Sequence, residues 1–89
     1  MAVVERRVRI VNELGLHARP AAEFVKLASK FKSEIQVRRD EVTVNGKSIM
    51  GVMTLAAEQG AELVITANGV DAEEAVNALA ALVESGFRE

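Results

Sequence analysis

Hydrophobic and polar residues alternate along the first part of the chain. Val4, Val8 and Ile10 fall on one side of this pattern, while Arg7 and Arg9 fall on the other. A period of two is typical of a strand with one buried face, so the pattern predicts a strand over residues 3–11. From residue 18 to residue 31 the apolar spacing changes to three and four, which predicts an amphipathic helix.

The remaining residues show the same two patterns in turn. Residues 35–37 and 42–44 alternate on either side of a polar tripeptide at 39–41, which predicts a hairpin whose turn lacks glycine. Ser48 is a favourable N-cap for a short apolar helix of about 48–57, with Val52, Leu55 and Ala56 as its expected buried side.

The last part of the chain predicts one more strand and one more helix. Residues 63–67 are rich in strand-forming side chains, and Asn68-Gly69 predicts the turn that follows. Asp71 with Glu74 resembles a capping box, so we expect a helix from there to about Gly86. The order β-α-β-β-α-β-α predicts an α+β fold, an open-faced two-layer sandwich with three helices on one face of a four-stranded antiparallel sheet. The length, 89 residues, predicts a single domain over 1–89.

Composition removes several classes of chemistry. The chain has no cysteine and one histidine, which excludes disulfides, thiolate nucleophiles and multi-histidine metal sites, so we expect no metal and no cofactor. A net charge of −2 without Tyr or Trp argues against nucleic-acid binding. Charged residues near the start, and the lack of a long apolar run, predict a cytoplasmic protein without membrane insertion.

The segment Gly15–Ala21 is the strongest candidate for chemistry. It joins the first strand to the first helix, and Pro20 suits a first helical turn because its missing N–H would have had no partner there. With His17 as N-cap, the backbone amides of Ala18 and Arg19 lie free at the positive end of the helix dipole. Together with the Arg19 guanidinium they form a site for a tetrahedral anion.

His17 in this position favours phosphoryl transfer. The positive helix end and Arg19 disfavour a charged imidazolium, which keeps one ring nitrogen free to act as a nucleophile. A phosphoryl group on that nitrogen would in turn be stabilised by the same positive charge. The alternative is an ordinary exposed histidine at a helix start, but Gly15, Arg19 and Pro20 around it favour the phosphoryl acceptor.

The whole chain resembles a known family. Gly15-Leu16-His17-Ala18-Arg19-Pro20-Ala21-Ala22 is similar to the active-site segment of the histidine-containing phosphocarriers (HPr) of the bacterial phosphoenolpyruvate-dependent sugar phosphotransferase system. Phe24-Val25-Lys26 and Asn45-Gly46-Lys47-Ser48-Ile49-Met50-Gly51-Val52-Met53 resemble its later blocks.

The resemblance implies a carrier and not an enzyme with its own turnover. It implies that His17 is phosphorylated through Nδ1, with Arg19 as its electrostatic partner. Enzyme I would be the donor and the A domains of enzyme II the acceptors. The resemblance also implies strand order 1-4-2-3, whereas the pattern alone favours the commoner ferredoxin-like order.

Ser48 and the residues after it are further candidates. Ser48 fits an N-cap, and the resemblance adds regulatory phosphorylation by an HPr kinase/phosphorylase. Apolar side chains on the short helix either belong to the core or form a docking patch for partners, with basic residues as its rim. The members of the patch and rim are Ile49, Met50, Met53, Lys26, Lys30 and Lys47.

Three alternatives stay open. Ser85-Gly86-Phe87 resembles the nitrogen-related phosphocarrier branch. A small acylphosphatase-like hydrolase would use Arg19 to bind phosphate, but it would leave His17 without a task. Purely regulatory relatives of the phosphocarriers have lost the active-site histidine, which this chain retains. We expect a monomer, and the sequence does not identify the sugars or permeases served.

Overall fold

Four strands and three α-helices follow one another in the predicted order. A computed structural model describes residues 2–89 of the chain. The elements are β1 (Ala2–Arg9), α1 (Ala18–Ala28), β2 (Glu34–Arg39), β3 (Val42–Asn45), α2 (Ile49–Thr54), β4 (Glu62–Gly69) and α3 (Ala72–Glu84), with a short 3-10 turn at Gly86–Arg88.

The strands form one antiparallel sheet in the order β1-β4-β2-β3. Val8 lies opposite Leu63, and Ile65 lies opposite Val37 on the other side of β4. This is the order that the family resemblance implies, so the ferredoxin-like order favoured by the pattern alone is wrong. The α+β open-faced sandwich itself is confirmed.

The core lies between the inner face of the sheet and the helices. Phe24 of α1, Ile35 of β2 and Leu79 of α3 are among its fully buried side chains, and each stabilises the fold by about 1.5–3 kcal/mol relative to an exposed position. The opposite face of the sheet is open to solvent, with Arg7 and Arg38 exposed there. Within residues 2–89, no helix has the length and apolar character needed to cross a bilayer.

Some predicted boundaries are wrong, among them the end of α1, which lies at Ala28 and not at residue 31. Helix α2 ends at Thr54, and the chain then turns at Ala56, whose φ is 47°, so Ala57 is buried in place of Ala56. Strand β4 continues through the predicted turn as far as Gly69. Gly69 pairs with Ala2 of β1, and it packs so closely on Ser33 that a Cβ would lie 2.6 Å from the Ser33 hydroxyl.

The predicted capping box at Asp71 does not form. Asp71 is the N-cap of α3, but its side chain makes no capping hydrogen bond. Its carboxylate instead accepts hydrogen bonds from the amides of Lys32 and Ser33 and from the Ser33 hydroxyl. The bond from the Ser33 hydroxyl, followed by that from the Lys32 amide, lowers the pKa of Asp71. This side chain therefore joins the start of α3 to the loop after α1.

Candidate functional site

The loop that carries His17 is fixed to the segment after α2. Gly15 has a φ of 71° and lies so close to Ala57 that a Cβ would be 2.5 Å from the Ala57 carbonyl oxygen. The next residue, Leu16, donates its amide to that same oxygen at 2.8 Å. Only glycine combines this φ with this close approach, so Gly15 sets the position of His17 relative to α2.

His17 is the N-cap of α1, as predicted. Its backbone is extended, with φ −77° and ψ −172°, and its carbonyl accepts the first helical hydrogen bond from Ala21 at 3.0 Å. The first amides of a helix have no acceptor within it. Pro20 has no N–H, so the amides of Ala18 and Arg19 remain, and neither has a partner among residues 2–89. They present two donors beside the imidazole at the positive end of the helix.

The imidazole is half-exposed and hydrogen-bonded on one side. Its side chain is 37% accessible, and Nε2 lies 2.8 Å from Oε2 of Glu89. The other oxygen of that carboxylate accepts a hydrogen bond from Nδ2 of Asn12 at 2.9 Å. Nδ1 of His17 has no hydrogen-bond partner in the described part of the chain, so it is the nitrogen that remains available.

Glu89 is a charged group that no pattern in the sequence indicated. Burial on its own raises the pKa of this carboxyl, but hydrogen bonds from Asn12 and His17, and the charges of His17 and Arg19, outweigh it and leave the pKa below its usual value. The positive helix end and Arg19 are therefore not the only charges that act on His17. A negative charge faces the ring from the opposite side.

Arg19 extends into solvent. Its Nε lies 3.9 Å from Oε1 of Glu23, one turn along the helix, and no hydrogen bond to His17 is formed. Exposed ion pairs of this kind contribute little, typically 0–1 kcal/mol. The guanidinium can therefore leave Glu23 and turn to an anion bound at the helix start.

Ser48 lies at the start of α2 and caps it. The Ser48 backbone is extended, and its Oγ accepts a hydrogen bond from the Gly51 amide at 3.0 Å. The structural part of the Ser48 prediction is thus confirmed. A group attached to this hydroxyl would lie beside the first amides of α2.

The exposed apolar patch is present on α2. Ile49, Met50 and Met53 are exposed, Met50 to 78%, while Val52 and Leu55 supply the buried side of the helix. The alternative that these three residues belong to the core is therefore wrong. Leu14, in the loop just before His17, is 71% exposed and was not predicted from the sequence. A lone leucine in a loop carries no periodic signal that would distinguish it from a core residue.

The predicted basic rim divides into two kinds of lysine. Lys26 and Lys30 are exposed on α1. Lys47 is partly buried, and its Nζ donates a hydrogen bond to the Phe31 carbonyl at 2.7 Å. Lys47 therefore holds the chain just after α1, a structural contact that sequence spacing does not reveal. No cluster of three or more metal-ligating side chains occurs within residues 2–89.

Comparisons with known proteins agree with this geometry. The family described as "PTS HPr component phosphorylation site" matches residues 4–85. The phosphocarrier protein HPr of Treponema pallidum is 46% identical over 87 residues, covering 98% of this chain and 99% of that protein. HPr of Neisseria meningitidis serogroup A is 44% identical, covering 98% of both. The crystal structure of HPr-C-His from Thermoanaerobacter tengcongensis has a TM-score of 0.93 at 52% identity, covering 97% of each chain.

Relatives of other types are similar to the same extent. The phosphocarrier protein NPr of Proteus mirabilis is 44% identical over 85 residues and 94% of each chain. The HPr-like protein Crh of Bacillus subtilis is 44% identical over 82 residues, 92% of this chain and 96% of that protein. Overall identity therefore does not separate these branches.

Proposed function

The chain belongs to the HPr family of phosphocarriers, and on that premise we propose that it accepts a phosphoryl group on His17 from enzyme I and passes it to enzyme II A domains in sugar uptake. The observation that supports this most directly is the imidazole at the start of α1 beside the unpaired amides of Ala18 and Arg19. We expect this exchange to take place in the cytoplasm.

The chemistry needs one nucleophilic nitrogen and a place for negative charge. The lone pair of Nδ1 attacks the phosphorus, the N–P bond forms, and the bond between phosphorus and the donor breaks with its electron pair leaving on the donor. Nδ1 is favoured over Nε2 because Nε2 already binds the Glu89 carboxylate. The reverse sequence with an acceptor regenerates the free ring, so the protein is a carrier without turnover of its own.

The oxygens of the phosphoryl group are stabilised by groups already in place. The amides of Ala18 and Arg19 donate hydrogen bonds, and the dipole of α1 favours negative charge at its start. The exposed Arg19 guanidinium turns from Glu23 to the anion, because a charge-assisted bond to phosphate is stronger than an exposed ion pair at 3.9 Å. The ring is open to solvent, so a bound partner must exclude water during transfer.

The experiment is incubation with enzyme I and labelled phosphoenolpyruvate. The parent and Ser48→Ala should both take up acid-labile label, whereas His17→Ala should take up none. Label that persists without His17 would refute the assignment. A hydrolase of the acylphosphatase type would release phosphate without accumulating a phosphohistidine, so the same experiment separates that alternative.

The α2 patch is proposed as the docking surface for both partners. Ile49, Met50 and Met53 are exposed on a helix whose following segment is bonded to the His17 loop. Methionine adapts to more than one partner surface, and the exposed Lys26 and Lys30 on α1 suit acidic partners. Met50→Glu should slow transfer without loss of stability, while Val70→Glu, an equally exposed control, should not. Equal rates for the two variants would contradict this surface.

Regulation at Ser48 is proposed on the basis of its capping geometry. A phosphate on this Oγ would lie at the positive end of α2, and its charge of about −1.5 to −2 would repel an acidic partner. Incubation with HPr kinase/phosphorylase and ATP should label the parent and not Ser48→Ala, and the Ser48-phosphorylated form should accept phosphate from enzyme I more slowly. Label retained in Ser48→Ala would contradict the proposal.

A nitrogen-related carrier is the second candidate, because Ser85-Gly86-Phe87 resembles that branch and NPr of Proteus mirabilis is as similar to this chain as HPr of Neisseria meningitidis is. The two candidate functions are distinguished by letting sugar-type and nitrogen-type A domains compete for the phosphoryl group on His17. Faster transfer to the sugar-type domain supports the first candidate, and the opposite ratio supports the second. That the protein acts as a monomer remains a prediction.

A further inference from the structure

The chain after α3 follows a strained path that brings Glu89 to His17. Gly86, Phe87 and Arg88 have φ values of 70°, 56° and 60°, all in the left-handed region. Residues other than glycine adopt this region at a cost of about 1–3 kcal/mol each, and such strain persists only where the surroundings enforce it. Phe87 is 2% exposed and belongs to the core, which holds this turn in place.

The turn ends in a chain of three hydrogen-bonded side chains. Nδ2 of Asn12 donates both to the Gly15 carbonyl at 2.7 Å and to one oxygen of Glu89 at 2.9 Å. The second oxygen of Glu89 lies 2.8 Å from Nε2 of His17. Both groups that face Nδ2 of Asn12 are acceptors, which fixes the orientation of that amide. The carboxylate is thus held by the same loop that carries the imidazole.

From this geometry we infer that Glu89 is a positioning residue for phosphoryl transfer, which binds the Nε2–H of His17 and so keeps the lone pair on Nδ1. The inference rests on the proposed function and adds a residue to it. An ionised carboxylate can only accept a hydrogen bond, so Nε2 must be the protonated nitrogen of the neutral ring. A carboxylate plays this part for histidine in metal sites and in catalytic triads.

The same contact assists both directions of transfer. During loading, Nδ1 forms the bond to phosphorus while Nε2 keeps its proton, so the phosphorylated ring carries a positive charge beside the Glu89 carboxylate. During unloading, the nucleophile of the acceptor attacks phosphorus, the N–P bond breaks, and its electron pair returns to Nδ1. The ring becomes neutral with its proton still on Nε2. No proton has to enter or leave the imidazole in either step.

The kinetic test compares two substitutions of Glu89 with a matched control. Rapid-quench measurements with phosphorylated enzyme I give the rate of loading of His17. We expect Glu89→Ala to be slower by about tenfold and Glu89→Gln by about threefold, because the amide oxygen of Gln still accepts the bond but lacks the charge. Glu73→Gln removes the same charge from the first turn of α3, at the far end of a 13-residue helix, and should load at the parental rate.

A spectroscopic measurement separates positioning from a general structural effect. ¹⁵N NMR of the imidazole at a pH where the ring is neutral should show a protonated Nε2 and an unprotonated Nδ1 in the parent. In Glu89→Ala the two ¹⁵N shifts should converge as the tautomers mix, and Glu89→Gln should restore the parental difference. Unchanged ring shifts in Glu89→Ala, or a parental loading rate in that variant, would overturn the inference.

The two proposals fail in different ways. If His17→Ala abolishes loading but both Glu89 variants load at the parental rate, Glu89 has no role in transfer and the carrier function still stands. Label that persists in His17→Ala removes the carrier function itself, whatever the Glu89 variants do.

Discussion

Replacement of Gly15 by alanine tests how the His17 loop is held. The new Cβ would lie 2.5 Å from the Ala57 carbonyl oxygen and 3.0 Å from the Glu58 Cα, both of which belong to the backbone. The loop must therefore move, and the 2.8 Å hydrogen bond from Leu16 to that oxygen is stretched or lost. The residue must also keep a φ of 71°, which alanine adopts at a cost of about 1–2 kcal/mol.

The expected loss of stability is the sum of these two contributions. The φ cost, about 1–2 kcal/mol, adds to the weakened hydrogen bond, about 0.5–1.5 kcal/mol, so Gly15→Ala should lower the free energy of unfolding by about 1.5–3.5 kcal/mol. Gly60 is the matched control, since its φ is 91° and no atom lies within 4 Å of a Cβ built there. Gly60→Ala should therefore lower the free energy of unfolding only by the cost of the positive φ, about 1–2 kcal/mol.

Urea unfolding followed by circular dichroism at 25 °C measures both variants. Gly15→Ala should be clearly less stable than Gly60→Ala, and it should also accept phosphate from enzyme I more slowly because His17 is displaced relative to α2. Equal losses for the two variants would refute the argument that close contact with Ala57 fixes this loop.

Three further changes test other contacts. Ser48→Ala removes the cap of α2 and should lower the free energy of unfolding by about 0.5–2 kcal/mol, measured by urea unfolding; no loss would mean that the cap contributes nothing. Lys47→Ala should lower the free energy of unfolding by about 1 kcal/mol, because it removes the hydrogen bond to the Phe31 carbonyl after α1. Lys30 is exposed, so Lys30→Ala should change that free energy by less than about 0.5 kcal/mol. Hydrogen bonds hold the pKa of Asp71 below its usual 3.8. The ionised carboxylate therefore contributes fully to the free energy of unfolding above pH 3.8, and this stabilisation is lost as the pH falls further. The stability difference between the parent and Asp71→Asn should thus shrink below that pH, as measured by urea unfolding, and a difference that stays constant would contradict this role of the carboxylate.

Local patterns predicted most of the elements because their cause is local. The alternation around Val8 and the helical spacing around Phe24 each follow from one buried face, and the structure has both elements. Ser48 as a cap and His17 at the helix start depend only on the next few residues, and both lie where the sequence placed them.

The features that the sequence did not predict depend on contacts between distant segments. Glu89 and His17 are 72 positions apart, and no spacing rule relates them. Asp71 had a nearby capping role available, but its carboxylate binds the loop around Ser33, 38 residues earlier, where three donors converge. Strand order likewise depends on how the layers pack, so the pattern alone favoured the wrong order, and only the family resemblance supplied the right one.

NMR of the phosphorylated protein tests the central claim most directly. After loading by enzyme I with ¹⁵N-labelled protein, the phosphorus should couple to Nδ1 of His17, and the amide protons of Ala18 and Arg19 should shift downfield as they bind phosphoryl oxygens. Phosphorus found on Nε2 or on another residue, or amide shifts of Ala18 and Arg19 that do not change, would contradict the account.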